Sequence, residues 1–459
     1  MTSQTVKHIF RGAFALLIVA SALAFFVQQR TSAYAEVAEV LQTDTELTAP
    51  PSLQDDLHQI DTVTTRVESD FYAETIQRLV EERASFIEAN LTSMQITAYQ
   101  NGMRAFTVPI QTKGRPGSWW QTPAGVYSVR TKKEKHFSSF GQVYTDWNLP
   151  FQGNFFIHGW PYHEDGTPVP SGYSGGCIRL TDENAQRLYE FAITGMQVVV
   201  YEEYFASDNF SYDVVAPLDI TAASYLAMDI RSNDIILDKS ASSTFAIASI
   251  AKIMTALIAT EYINLDKQLT VSANAAAATT TKSRFVAGQS VLAFHLLYPL
   301  LNESSNQSAT ALAESVGFES YVRLMNEKAM AIGMQAATFV DPAGILATNV
   351  ATAEDLARLA QYLYYNRPFV LNLLAGRLDP GVYEAPQFED LSNFNIFSAD
   401  DSFVGGKVGH TTAAAETMLA VFNVDIRGIS RPIAIVVLGS TDIKDDVVKI
   451  KDYIAEQYR

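Results

Sequence analysis

The chain contains one cysteine, Cys177, in the segment Ser174-Gly175-Gly176-Cys177-Ile178-Arg179-Leu180. Nineteen positions earlier stands His158, in Phe155-Phe156-Ile157-His158-Gly159. A thiol attacks carbonyl carbon as its thiolate, and histidine is the usual group that takes the proton. Glycines beside the cysteine let the backbone approach a substrate and aim amide N–H groups at a developing oxyanion. Arg179, two residues on, falls on the same side of an extended segment, where it lowers the thiol pKa or holds a carboxylate. The plainer alternative is a buried cysteine with a structural histidine. A metal site would have to gather His158, His163, Glu164, Asp165 and Cys177. Their spacing fits no common zinc pattern, and Glu164-Asp165-Gly166 reads as a solvated turn.

A second set of residues offers different chemistry. Ser249-Ile250-Ala251-Lys252 opens the run Ile253-Met254-Thr255-Ala256-Leu257-Ile258, which has helical spacing. Residues i and i+3 share a helix face, so Lys252 can act on the Ser249 hydroxyl once burial and nearby charge lower its pKa. The S-x-x-K pattern alone is common by chance. Here Ser304-Ser305-Asn306 follows, just before a helical run from Ala309 to Val316. Gly406-Lys407-Val408-Gly409-His410-Thr411 comes next, leading into a strand over Met418–Val424. A partner strand at Ile433–Gly439 follows the turn residues Arg427-Gly428.

The elements that must hold these groups differ between the halves. Over 84–201 the pattern is of short strands and turns, with a hairpin at Gln95–Ile110 around Asn101-Gly102. Further strands are expected at Gly125–Val129, Asn154–His158 and Met196–Tyr201, giving a mostly-β domain. Residues 202–213 read as a short acidic, aromatic linker. Over 214–459 long helical patterns alternate with β segments, giving an α/β domain with an antiparallel sheet flanked by helices. Ahead of both, Lys7 and Arg11 precede an apolar run at Gly12–Val27, and Ala33-Tyr34-Ala35 resembles a signal cleavage site. Residues 1–35 therefore read as a signal peptide or a membrane anchor, and the rest as exported. Residues 36–83 form an acidic stalk, with a helix near its end carried by Phe71, Ile76, Leu79, Val80 and Ile87.

Composition excludes several functions. The 459 residues carry 33 Lys and Arg against 50 Asp and Glu, a formal charge of −17. Phosphate contacts need a basic surface, so no nucleic-acid partner is expected. One cysteine excludes intrachain disulfides, zinc ribbons and cysteine-ligated clusters, and no cofactor or metal is implied.

The first half resembles the YkuD-type L,D-transpeptidases of bacterial cell walls. The resemblance rests on His158-Gly159, on Ser174-Gly175-Gly176-Cys177-Ile178-Arg179, and on Thr122-Pro123-Ala124-Gly125-Val126-Tyr127. It implies Cys177 as nucleophile, His158 as general base, and the Gly176 and Cys177 amides in an oxyanion hole, with Ser174, Gly176 and Arg179 at the substrate. Gly175 replaces a histidine found in many members.

The second half resembles the D,D-carboxypeptidase branch of the penicillin-binding proteins, through S-x-x-K, S-x-N and K-x-G in order and through Thr338-Phe339-Val340-Asp341-Pro342-Ala343-Gly344. It implies Ser249 as nucleophile and Lys252 as its base. Ser304 and Asn306 would orient protons and the substrate amide. Lys407 would bind the terminal carboxylate, flanked by Gly409, His410 and Thr411, and the Ser249 and His410 amides would face the oxyanion. Related D,D-endopeptidases share these motifs. Val408 stands where the family has Thr or Ser. A hydrogen bond to a charged group is worth about 1.5–3 kcal/mol, so losing that hydroxyl predicts roughly one to two orders of magnitude in affinity or turnover.

Both resemblances imply the stem peptides of peptidoglycan as substrate and β-lactams as acylating inhibitors. The serine half would remove the last D-alanine of a pentapeptide. The cysteine half would use the resulting tetrapeptide as donor, through a thioester, to make 3→3 cross-links or a trimmed tripeptide. Two other readings remain open at this level. One is a pair of hydrolases without cross-linking; the other is a wall-binding scaffold without turnover.

Overall fold

In the computed structural model, which describes residues 71–458 except 171, 205–209, 211, 214–217 and 378–386, the described chain begins with helix α1 (Phe71–Glu81). The apolar run and most of the acidic stalk lie outside the described residues. Among those described, no helix is long and apolar enough to cross a membrane. The end of the stalk is packed. Leu79 is buried, and Tyr72 and Ile76 lie against Phe86, Val199 and Tyr201. Ile87 belongs to the following strand rather than to this helix.

The cysteine half is built on two sheets. Strands β1 (Phe86–Asn90), β2 (Gln95–Gln100), β3 (Met103–Pro109), β4 (Gly125–Ser128) and β9 (Gln197–Tyr201) form one, in the order β3-β2-β1-β9-β4. Asn101 and Gly102 both have positive φ, the backbone a two-residue hairpin requires between β2 and β3. Strands β5 (Lys133–Ser138), β6 (Val143–Gln152), β7 (Phe155–His158) and β8 (Ile178–Arg179) form the other, in that order. The long β5–β6 hairpin carries no clean alternation of apolar and polar residues, so sequence pattern alone did not mark it. Helix α2 (Asp182–Phe191), capped by the Thr181 hydroxyl on the Asn184 amide, closes the core formed by Ile87, Ile96, Phe151, Ile157, Ile178 and Leu188.

The serine half is layered around an antiparallel sheet. Its strands are β10 (Ser224–Asp229), β11 (Ile235–Lys239), β16 (Phe403–Thr411), β17 (Ala415–Ile426) and β18 (Ile429–Ser440), in the order β11-β10-β18-β17-β16. Two small pairs, β12 (Phe245–Ala246) with β15 (Val350–Ala351) and β13 (Gln268–Thr270) with β14 (Ser290–Leu292), lie among the helices. The sheet is apolar on both faces. Leu419, Val421, Ala434 and Val436 face the helical layer. Met418, Ala420, Phe422, Ile435 and Val437 face the C-terminal helix Ile443–Gln457. Strand periodicity of two produces this split. Helix α3 (Ala251–Tyr262) is buried over every residue but Tyr262, as expected of a helix apolar on all sides.

Residues 62–459 form one compact unit, and the two halves share a buried junction within it. Glu261, at the end of α3, accepts from Gln152 Nε2 at 2.7 Å and pairs with Lys328 at 2.8 Å and Arg367 at 3.1 Å. Lys328 also donates to the Tyr127 and Tyr362 hydroxyls at 2.7 and 2.8 Å, and Arg367 to the Gln121 carbonyl at 2.8 Å. The side chains of Glu261, Lys328 and Arg367 are all fully buried. Burial pushes the Glu261 carboxyl up, but Lys328 and Arg367 pull harder and hold it below its usual range. The described parts of 202–213 are packed too: Tyr204 stacks on Tyr365, and Tyr212 is buried with its hydroxyl on Asp229.

Candidate active sites

Ser249 stands in a short 3-10 turn, Ala248–Ile250, that runs straight into α3. Ala248 is held at φ +48°, a left-handed conformation uncommon for alanine. Lys252, one turn along, is fully buried and donates to Ser249 Oγ at 2.9 Å and to the Ala343 carbonyl at 2.6 Å. Burial and then the neighbouring Lys407 charge push the Lys252 ammonium well below its ordinary pKa, against the pull of Asp341. A lysine so placed can accept the serine proton near neutrality.

Strand β16 brings the third motif to this turn. A side chain at Gly409 would press on the Ser249 amide nitrogen at 2.8 Å, so only glycine lets the strand come this near. Thr417 Oγ1 ties the two pieces together, donating to the Ile247 and Gly409 carbonyls at 3.2 and 3.3 Å. Lys407 is fully buried, donates to the Val408 carbonyl at 2.8 Å, and is pushed down to about 7 by burial. His410 is exposed on the same strand, and Thr411 Oγ1 accepts from the Ala414 amide in the hairpin turn.

Val408 stands between Lys407 and Gly409 on β16. Alternation along β16 turns it away from Lys407 and Gly409, and its side chain packs against the core under the C-terminal helix.

Ser304 and Asn306 sit where helix Asn306–Val316 begins, on a helix that packs against α3. Ser304 has φ +56°, and Asn306 Nδ2 donates to the Thr279 carbonyl at 2.5 Å. No described hydrogen bond joins either residue to Ser249 or Lys252. Sequence reading gave no role to Asp341. Its carboxylate accepts from the amides of Ala343, Gly344, Ile345 and Leu346 and from Asn349 Nδ2, and so fixes the loop that presents the Ala343 carbonyl to Lys252. An Asp-Pro-x-Gly turn was the available signal.

The cysteine half places Cys177, His158, Ser174, Gly175 and Arg179 on one cavity of about 390 Å³. His158 ends β7 and pairs in register with Arg179 of β8. Its Nδ1 lies 2.6 Å from the Gly159 carbonyl, which assigns the proton to Nδ1 and leaves Nε2 as the acceptor. Cys177 Sγ lies 3.7 Å from the Asn154 carbonyl, and no described hydrogen bond links it to His158. Burial pushes the thiol up to about 11 and the imidazole down to about 4. Both groups are therefore neutral at rest near pH 7.

Gly176 is committed elsewhere. Its amide donates to Ser174 Oγ at 3.0 Å, and its carbonyl accepts from Thr122 Oγ1 at 2.8 Å. Ser174 Oγ in turn donates to the Cys177 carbonyl at 2.5 Å. The Cys177 amide is taken by no described hydrogen bond, and is the one beside the thiol that is free to face an oxyanion. Arg179 packs near Trp160, and its buried Nε has no hydrogen-bond partner among the described residues.

The comparisons with known proteins divide along the same line as the two sites. A family model described as D-alanyl-D-alanine carboxypeptidase matches residues 211–441. One described as the L,D-transpeptidase catalytic domain matches residues 84–200. The D-alanyl-D-alanine endopeptidase of Escherichia coli is 26% identical over 265 residues, 55% of this chain and 83% of that protein. The Pseudomonas aeruginosa protein of the same name is 30% identical over 145 residues, 31% of this chain and 47% of that protein. A crystal structure of a Francisella tularensis D-alanyl-D-alanine carboxypeptidase is 26% identical with a TM-score of 0.44, covering 56% of this chain and 75% of that one. The first family model alone spans just over half of the 459 residues, and the chain belongs to the D-alanyl-D-alanine carboxypeptidase family, with an L,D-transpeptidase catalytic domain ahead of that half.

Proposed function

We propose that the chain is a two-site enzyme of peptidoglycan stem peptides that works outside the cytoplasmic membrane. The observation that carries this reading is the desolvated Lys252 in hydrogen-bond contact with Ser249 at 2.9 Å. In the serine half Ser249 Oγ attacks the carbonyl of the penultimate D-alanine while Lys252 takes its proton. The buried Lys407, in its protonated form, receives the peptide's terminal carboxylate. The terminal D-alanine leaves with a proton returned through Lys252, and water then releases a tetrapeptide.

In the cysteine half, Cys177 passes its proton to His158 Nε2 and attacks the carbonyl of residue three. The fourth residue leaves as an amine, protonated by His158, and a thioester remains. An amine from a neighbouring stem resolves it into a 3→3 cross-link, and water resolves it into a tripeptide.

Muropeptide mass spectrometry on cells carrying the chain tests both assignments. Cys177→Ala should abolish 3→3 links while tetrapeptides still accumulate. Ser249→Ala should leave pentapeptides, with cross-links restored when tetrapeptide is supplied. If fluorescent penicillin fails to label Ser249, the serine half is a binding module and the reading falls. The curated relatives favour a second reading of that half, because both are named D-alanyl-D-alanine endopeptidases. A D-alanyl cross-linked dimer offered against a pentapeptide monomer decides between them by which is consumed first.

A further inference from the structure

The serine half forms part of the wall of the cysteine cleft. Tyr262, at the end of α3, and Ile263, Asn264 and Lys267, from the turn after it, line the same cavity as Cys177, His158 and Arg179. This wall is fixed rather than loosely apposed. The Asn154 amide donates to the Glu261 carbonyl at 2.9 Å, and the Tyr262 hydroxyl donates to Gln152 Oε1 at 3.3 Å. Gly153, at φ +49°, lets the β6–β7 turn sit on the end of α3, where any side chain would strike the Glu261 carbonyl. The turn itself is pinned, because the Asp266 amide donates to Asn264 Oδ1 at 3.0 Å, and the Lys267 amide to the Asn264 carbonyl at 3.1 Å. The Ala293 amide donates to the Lys267 carbonyl at 2.9 Å.

The charge of the cleft runs against that of the chain. The protein carries 50 acids to 33 lysines and arginines, yet no Asp or Glu is among the described residues lining this cavity. The lining has two permanent cations, Arg179 beside the thiol and the exposed Lys267, together with His136 and His158. A cleft of this sign selects anionic groups, and repels an amine that arrives protonated.

We infer that Lys267 of the serine half is a specificity residue of the cysteine site, holding a free carboxylate of the acyl-donor peptide. This rests on the reading of Cys177 as the acyl-transfer nucleophile. Arg179, two residues after Cys177, packs near Trp160, and Lys267 supplies a second cation on the same cavity from the other half of the chain. The cysteine half would then need the serine half for full donor affinity, which gives the fusion a role beyond keeping two enzymes near each other.

The test uses the full chain and two donors, a free-acid tetrapeptide and its amidated analogue. An ion pair at an exposed site is worth up to about 1 kcal/mol, roughly fivefold in affinity. Lys267→Ala should raise KM for the free-acid donor about two- to fivefold with kcat changed less, Lys267→Glu should raise it further, and Lys267→Arg should restore it. The amidated donor should bind both proteins alike. Equal KM values for the free acid before and after Lys267→Ala, or equal losses for both donors, would overturn the inference. Intact-protein mass spectrometry separates the two ways of failing. If the unaltered protein forms no donor adduct on Cys177, the acyl-transfer reading fails. Calorimetric titration of the same donors into Cys177→Ala, with and without Lys267→Ala, then decides the Lys267 contact by itself, and an unchanged affinity rejects it.

Discussion

The two sites of this chain are prepared for chemistry to different degrees. In the serine half Lys252, the proposed base, already touches Ser249, and a loop built on Asp341 fixes Lys252 from behind. In the cysteine half the thiol and the imidazole share a cavity without bonding, and each is kept neutral by burial. The intrinsic chemistry of the nucleophiles accounts for the difference. A serine hydroxyl is a weak nucleophile that must be deprotonated as it attacks, so its base has to be in contact beforehand. A thiol is the stronger nucleophile and ionises far more readily, so its base can engage as substrate enters the cleft.

Removing each base is the sharpest way to break this comparison. Lys252→Ala should lower acylation of Ser249 by about 10³–10⁵-fold, because no other described hydrogen bond reaches the hydroxyl. His158→Ala should cost the cysteine reaction less, about 10²–10⁴-fold. The residual cysteine activity should climb about tenfold per pH unit as the thiol ionises unaided, while the Lys252→Ala residue stays flat. Rates of penicillin acylation and of thioester formation across pH 6–9 check both. Equal losses, or a rescue of Lys252→Ala by alkali, would show that the serine site is no better prepared than the other.

The junction sets the next effect. Glu261→Gln leaves the buried Lys328 and Arg367 facing a neutral amide. Breaking a buried ion pair from one side costs about 3–5 kcal/mol. Because Glu261 and its partners are packed between the halves, both activities should be lost at the same lowered temperature. Arg130→Ala removes an exposed pair with Glu327 and should cost less than about 1 kcal/mol. Thermal inactivation followed with both substrates measures this. Separate transitions for the two activities would mean that the junction does not couple the halves.

The pH dependence separates the sites with a smaller effect. The profile of kcat/KM reports the free enzyme. In the serine half Lys407 must be protonated to hold a carboxylate, and it is held at about 7, so kcat/KM should fall as pH rises above that value. In the cysteine half the working form is the neutral thiol with neutral imidazole. That form persists from about 4, where His158 protonates, up to about 11, where Cys177 ionises, so kcat/KM should stay level between. Assays of both reactions on one preparation from pH 5 to 10 make the check. A break near 7 in the cysteine reaction would remove the contrast.

What was legible in the sequence was local. The Asn101-Gly102 hairpin, the helical run after Ser249 and the Arg427-Gly428 turn all follow from nearest neighbours in the chain. The proposed nucleophiles stood out because Ser249 and Lys252 are three residues apart, and because Cys177 is the chain's one cysteine. The groups that finish each site come from far along the chain. The Ala343 carbonyl lies 91 residues from Lys252, and the Glu261–Gln152 contact spans 109. Lys267 has no periodicity or motif to mark it, and only the packing of the two halves brings it to the cleft of Cys177. The direction of a side chain on a strand is similarly hidden when the strand buries residues on both faces, as β16–β18 do.

Val408 is the case where that direction matters, and it carries the smallest expected effect. Read as a motif, K-V-G in place of K-T-G predicts a loss of roughly one to two orders of magnitude for want of a hydroxyl. In the fold, Lys407 and Gly409 face the Ser249 turn, and Val408 packs on the opposite core. A hydroxyl introduced by Val408→Thr would therefore meet apolar neighbours rather than a substrate carboxylate. The substitution is close in volume, but a hydroxyl in apolar surroundings costs about 1–3 kcal/mol when it finds no partner. Val408→Thr should change kcat/KM of the serine half by less than about threefold and lower its unfolding free energy by about 1 kcal/mol, less than the full cost because Val408 is only partly buried. A tenfold gain in activity would place that hydroxyl at the substrate and overturn the assignment of strand faces. A small loss in stability with unchanged kinetics would mean that the carboxylate is held by Lys407 without help from position 408.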